Sequence, residues 1–251
     1  MAEQKLLLSN PNEINVLTFG NSLTEGYADF GMTFHPYSIA LEKKLSTLLP
    51  THKINITVNG LSGDRVLTSL NGIFLKRLQS SLPLRKTGTP KYDLVIVLGG
   101  TNDLAYLIGD ADGPNKIFEG LKECYAHVLE ARASLLCLTV PERAIDTRAS
   151  KLAEKARNAR LELNKLIAGF VNEHETLGEE GAEEAVSPSK VFLFDLAKAV
   201  PFPNDRDEDG DWDTTIWSPD GLHMMPQGYD FVGEELATHI FDLLQGATLK
   251  N

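Results

Sequence analysis

The chain has 251 residues, 42% of them hydrophobic and 24% charged, and a formal net charge of −11. That length and balance support one folded unit, expected to span residues 1–251; the acidic excess, with no Lys/Arg run of useful size, excludes nucleic acid and anionic membrane surfaces as partners. No run of about 18 apolar residues offers a bilayer span, and the first twenty residues lack a basic segment leading into an uninterrupted apolar run, so a cytoplasmic location is expected.

In chain order, the first element is a predicted strand over residues 15–19 (N-V-L-T-F), which stops at Gly20 and leads into Asn21-Ser22-Leu23-Thr24-Glu25-Gly26. A helix is predicted over residues 37–49, then a β-branched strand over 54–58, followed by Asn59-Gly60-Leu61-Ser62-Gly63-Asp64. Helical spacing predicts residues 65–82 as the next helix. The run Asp93-Leu-Val-Ile-Val-Leu98 is continuously apolar after its aspartate, as expected for a central strand covered on both faces, and Gly99-Gly100-Thr101-Asn102-Asp103 follows it. A helix over 115–131, a strand over 135–140 ended by Pro141, and a long helix over 147–174 come next. The acidic stretch 178–189 reads as an exposed loop, residues 191–194 as the fifth strand, and residues 226–244 as the last helix, with Pro226 in its first turn. Strands alternating with helices in this way predict a parallel sheet with helices on both faces. Cys124 and Cys137 fall in a helix and the strand after it; they form no disulfide framework and read as core thiols.

Three of the predicted strands run into segments rich in small and polar residues, which brings those segments to the carboxyl edge of the sheet, where open α/β folds place their ligands. Ser22 follows the first strand. A serine hydroxyl becomes a good nucleophile only when a base takes its proton and an acceptor holds that base in the right tautomer. Asp220-Gly221-Leu222-His223, just ahead of the last helix, supplies both from one turn, with Asp220 accepting from Nδ1 of His223 and Nε2 left to face the serine. Fixed donors are also required for the negative charge that develops on an attacked carbonyl oxygen, and Gly63 and Asn102 follow the second and third strands. Each residue has a simpler structural use: Ser22 or Asp220 as a helix cap, Asn102 as a turn former, Gly63 as a residue at positive φ.

These four segments, in this order and covering the chain from about residue 14 to 231, resemble the blocks of the GDSL/SGNH hydrolase family. The resemblance implies a flavodoxin-like three-layer α/β/α sandwich with a central five-stranded parallel sheet. It also implies ester hydrolysis through an acyl-enzyme, without a cofactor, by Ser22 as nucleophile, His223 as base and Asp220 as orienter. The implied oxyanion hole is built from the backbone N–H groups of Ser22 and Gly63 and the side chain of Asn102. The family usually carries Asp before its nucleophile, where this chain has Asn21. The competing G-x-S-x-G elbow of α/β-hydrolases is absent, because position 24 is Thr.

The expected substrate is a small-molecule ester, acetyl or short-chain. Acyl transfer to an alcohol, lysophospholipid or thioester cleavage on the same site, and a non-catalytic ligand-binding module are the alternatives. Trp212 and Trp217, in the segment 201–219 that leads to Asp220, are candidate substrate-binding residues, with that segment acting as a lid. Phe30, Met32, Phe34 and Tyr37 are further candidates for lining a pocket, and Arg65 for touching substrate or an acidic neighbour. The acidic stretch 205–213 alternates oxygen ligands like a calcium loop, but the twelfth place is Ile216 instead of Glu. The remaining histidines lack metal-ligand spacing, and no metal site is assigned.

Overall fold

The computed structural model describes residues 5–84, 88–177, 189–203 and 214–246. The elements run β1 (Glu13–Gly20), α1 (Ser22–Glu25), β2 (Tyr27–Ala28), β3 (Thr33–Phe34), α2 (Ser38–Leu48), β4 (Lys53–Gly60), α3 (Phe74–Ser81), β5 (Leu94–Leu98) and α4 (Thr101–Tyr106). The chain continues through α5 (Gly113–Glu130), β6 (Ser134–Leu138), α6 (Lys151–Leu177), β7 (Val191–Phe194), α7 (Leu196–Ala199) and α8 (Pro226–Gln245). Five strands form one parallel sheet in the order β4-β1-β5-β6-β7, the order of flavodoxin-like folds. β2 and β3 pair as a separate antiparallel hairpin.

The apolar runs explain the layers. Side chains alternate along each strand, so Ile14 and Val16 of β1 and Leu94, Ile96 and Leu98 of β5 face one side, packed with Leu41 and Leu45 of α2 and Val232, Leu236 and Ile240 of α8. Leu17, Phe19, Val95 and Val97 face the other side, against α3, α5 and α6 through Phe74, Leu78, Ile117, Leu121 and Leu163. The expected sandwich and its five parallel strands are therefore what the chain forms. Cys124 and Cys137 are fully buried in the second layer, and no helix among the described residues is long and apolar enough to cross a membrane.

Two predicted helices change. The helix expected over 65–82 shrinks to Phe74–Ser81. Upstream, the amides of Val66 and Leu67 donate to the Asp103 carboxylate at 3.0 and 2.9 Å, and that of Ile73 donates to Asp64 at 3.0 Å. N–H groups captured by carboxylates from outside the helix are unavailable to a helical ladder. The helix expected from 147 begins instead at Lys151, after a 3-10 turn at Ala144–Thr147 whose ends are tied by reciprocal Arg143 and Asp146 contacts. The acidic stretch 178–188 and the calcium-like stretch 205–213 lie outside the described residues.

Candidate active site

β1 and its neighbours β4 and β5 end together, with Gly20 paired to both Gly60 and Leu98. This is the point at which successive crossovers leave the sheet in opposite directions, where α/β folds open a crevice. Asn21 caps the short α1, its side-chain oxygen accepting from the amide of Leu23 at 3.1 Å, and Ser22 is the first helical residue. Asn21 is buried, and its side-chain nitrogen has no hydrogen-bond partner among the described residues. The acceptor oxygen thus does the work of a cap, while the amide nitrogen is an extra donor that an Asp would lack.

Ser22, only 5% exposed, lies 2.9 Å from Nε2 of His223 across 201 residues of sequence. Nδ1 of His223 is 2.8 Å from one carboxylate oxygen of Asp220, whose other oxygen accepts from the backbone amides of Leu222 and His223 at 2.9 and 2.8 Å. An ionised carboxylate can only accept, so Nδ1 carries the proton and Nε2 is left to accept from the serine hydroxyl. Burial pushes the Asp220 carboxyl up, but the His223 side chain and the two amides outweigh it and hold the group below its ordinary range. The turn bearing this pair is closed by hydrogen bonds from Ser218 N–H to the His223 carbonyl and from Gly221 N–H to the Ser218 carbonyl, and the Ala144 amide secures it from outside by donating to the Gly221 carbonyl.

Gly63 sits at φ +77, a left-handed conformation that glycine adopts at no steric cost. The side-chain amide of Asn102, on α4, donates to the backbone carbonyl of Asp64 at 2.8 Å, which ties the segment after β5 to the one after β4. The same loop is held by a residue that sequence reasoning missed. Arg77 of α3 donates to Asp64 at 2.9 Å, to the Asn59 carbonyl at 3.1 Å and to the Gly20 carbonyl at 2.7 Å, and also to the Asn59 side chain. One guanidinium thereby joins the end of β1, the end of β4 and the Gly63 loop; the Asp64 side chain is 2% exposed and that of Arg77 15%. Nothing in the local pattern around Arg77 signals this, because it reads as an ordinary solvated helix position. The buried Asp103 is pushed above its ordinary range by burial, against the amides of Leu67 and Val66 and the charge of Arg65.

The other expected residues scatter. Trp217 is 1% exposed, packed against Phe202 with ring centroids 5.0 Å apart, and its indole N–H donates to the Pro201 carbonyl at 3.1 Å. The ring anchors the segment ahead of Asp220, and together with Val200, Pro203, Ile216 and Phe231 it lines a cavity of about 300 Å³. Trp212 lies outside the described residues. Tyr37 is likewise core, at 2% exposure, whereas Phe30, Met32 and Phe34 are exposed. The Arg65 guanidinium stacks 4.6 Å from the Tyr106 ring. A cleft of about 390 Å³ lined by Thr139, Glu142, Arg160, Asn164 and Asp195 includes neither Ser22 nor His223. Among the described residues no three His, Cys, Asp or Glu side chains converge as metal ligands.

A family model described as the GDSL-like lipase/acylhydrolase family matches residues 18–178, well over half of the chain. The chain belongs to that family. Membership makes it a hydrolase of the lipase and acylhydrolase class, with ester hydrolysis as its general chemistry. Among solved structures, it is similar to a protein from Agrobacterium tumefaciens provisionally named an arylesterase, at 20% identity and TM-score 0.64, over 93% of this chain and 100% of that one. A lipase/acylhydrolase from Enterococcus faecalis matches at 20% identity and TM-score 0.60, over 95% and 100%. An acetyl xylan esterase variant from Geobacillus stearothermophilus matches at 14% identity and TM-score 0.58, over 97% and 99%. At such identities the likeness is one of fold. No curated protein matches the sequence.

Proposed function

We propose that this GDSL-family chain cleaves small carboxylic esters through an acyl-enzyme carried on Ser22. The observation that carries the reading is the unbroken hydrogen-bonded chain from Ser22 Oγ through His223 to Asp220, at 2.9 and 2.8 Å. His223 Nε2 takes the hydroxyl proton as Oγ attacks the ester carbonyl, and Asp220 holds the imidazolium that results. Negative charge gathers on the former carbonyl oxygen, which accepts from the backbone N–H groups of Ser22 and Gly63 and from the side-chain amide of Asn102. As the tetrahedral intermediate collapses, the imidazolium returns its proton to the departing alcohol and the acyl group stays on Ser22. A water molecule deprotonated by His223 then attacks the acyl-enzyme, releasing the acid and restoring the serine.

Acetyl and short-chain esters are the substrates this reading favours; two structural neighbours are named as an acetyl xylan esterase and a carbohydrate acetylesterase family member. The test is hydrolysis of p-nitrophenyl esters from acetate to palmitate by wild type and Ser22→Ala, together with labelling by a serine-directed fluorophosphonate. The expected outcome is labelling of wild type alone and a loss on the order of 10⁴-fold or more in kcat for the variant. A Ser22→Ala protein that turned over these esters at the wild-type rate would overturn the reading.

A further inference from the structure

The β2/β3 hairpin is a part of the molecule that the hydrolytic chemistry leaves unexplained. Within five residues it exposes three large apolar side chains, Phe30 at 66%, Met32 at 75% and Phe34 at 52%. Such a cluster on a protein surface commonly marks a binding site. Its tip carries backbone strain as well: Asp29 and Phe30 are consecutive non-glycine residues at φ 49 and 53. Strain of this kind persists only where the surroundings impose it. Here the surroundings are on the page. The Tyr229 hydroxyl of α8 donates to the Tyr27 carbonyl at 2.8 Å, the His35 ring meets Asp230 of α8 at 2.8 Å, and the His35 amide donates to the Gly26 carbonyl at 2.7 Å. The hairpin is pinned at its base, and the aromatic tip is left outside.

The base also touches the reacting residues. The Tyr27 ring lies over the His223 imidazole, centroids 4.3 Å apart and 34° from parallel, and Phe34 meets Tyr27 edge to face at 6.1 Å. A continuous aromatic line therefore runs from His223 to the exposed hairpin. In ester hydrolysis the two halves of the substrate are sorted by the proton donor: the alcohol oxygen must come within hydrogen-bond reach of Nε2 of His223, while the carbonyl oxygen turns toward Gly63 and Asn102.

We propose that the β2/β3 hairpin is the alcohol-side subsite, and that it selects esters of flat, apolar alcohols, aryl or benzylic, through Tyr27, Phe30 and Phe34. This deepens and rests on the esterase reading above. An aromatic alcohol buries apolar area and stacks beside the Tyr27 ring, which already packs on His223 and Phe34.

The test fixes the acyl group and varies the alcohol between two of similar acidity: benzyl acetate against 2-methoxyethyl acetate. Wild type is expected to favour the benzyl ester by about tenfold or more in kcat/KM, and Phe30→Ser/Phe34→Ser to cut that ratio about fivefold or more. Leu152→Ser, at a 54% exposed position on α6, serves as the control and leaves the ratio unchanged. A wild-type ratio near one, or equal losses on both esters in the hairpin variant, overturns the proposal while leaving the esterase reading intact. Should neither ester be cleaved, the esterase reading is decided by the p-nitrophenyl series and Ser22→Ala above, and fluorine NMR with 4-fluorobenzyl alcohol decides the subsite. Binding to wild type that is lost in the hairpin variant supports it; no binding to wild type overturns it.

Discussion

Asn102 donates its side-chain amide to the backbone carbonyl of Asp64 across 2.8 Å, joining two segments separated by 38 residues in sequence. An amide has two N–H donors, so this tether commits one, and the proposed mechanism assigns the other to the developing oxyanion. Asn102→Ala removes both. The expected outcome is a fall of about 10²–10³ in kcat, as for loss of one oxyanion donor, with unfolding stability lowered by only about 1 kcal/mol for the lost hydrogen bond. Steady-state kinetics beside a urea titration checks the pair.

Asp220→Asn tests the orienting role. The substituted amide presents either an oxygen or an N–H₂ group to Nδ1, and the second arrangement drives the proton to Nε2, where it opposes the serine hydroxyl. Kinetics should show kcat lower by on the order of 10³–10⁴. The linkage sign also follows. Folding holds this carboxyl below its ordinary value, so its ionised form stabilises the fold above about pH 4 and that contribution is lost as the pH falls through the lowered value. Urea midpoints of wild type and Asp220→Asn should converge at the acid end.

Arg77→Ala strips the partner from a nearly enclosed Asp64 and releases Gly20 and Asn59. Breaking a buried ion pair from one side typically costs about 3–5 kcal/mol. Denaturant unfolding should show a loss in that range, and Arg77→Met/Asp64→Asn should recover part of it by removing the uncompensated charge.

Gly60 and Gly63 make a contrasting pair. A Cβ on Gly60 would stand 2.2 Å from the Glu25 amide nitrogen, so Gly60→Ala must displace the turn that carries Ser22. A Cβ on Gly63 meets nothing within 4 Å, and only its positive φ objects. Gly63→Ala should cost about 1–2 kcal/mol of stability, while Gly60→Ala should lose activity at temperatures where it remains folded. Circular dichroism melts and assays on the same samples separate the two.

His239 gives an independent pH signal. Burial, with Phe194 edge-on at 5.2 Å, pushes it down to about 4 from its ordinary 6.5. The unfolded chain therefore binds this proton first on acidification, and stability falls as the pH drops from about 6.5 to about 4. His239→Gln should flatten that part of the urea-midpoint profile.

Much of this was legible in the residues. The run 94–98 reads as a central strand because five consecutive apolar, β-branched or leucine side chains suit a short strand covered on both faces, and all five are buried. The Asp220 and His223 pairing is equally local: three residues across one turn bring carboxylate to imidazole whatever the rest of the chain does. Residues 65–73, by contrast, carry an adequate helical pattern, but the amides of Val66 and Leu67 are taken by Asp103, which no short window of sequence around them contains.

The sequence by itself determined the alternation of strands and helices, the placement of Ser22, Gly63 and Asn102 after successive strands, and the Asp220–His223 turn, since each depends on apolar period or on neighbours a few residues apart. Only the tertiary structure decided that Ser22 and His223 meet across 201 residues, that Arg77 turns inward to hold three segments, and that Trp217 is enclosed while Phe30 and Phe34 stay outside. The reason is physical. A charged or aromatic side chain settles wherever packing and hydrogen-bond partners from distant segments stabilise it most, and those partners exist only once the sheet has assembled.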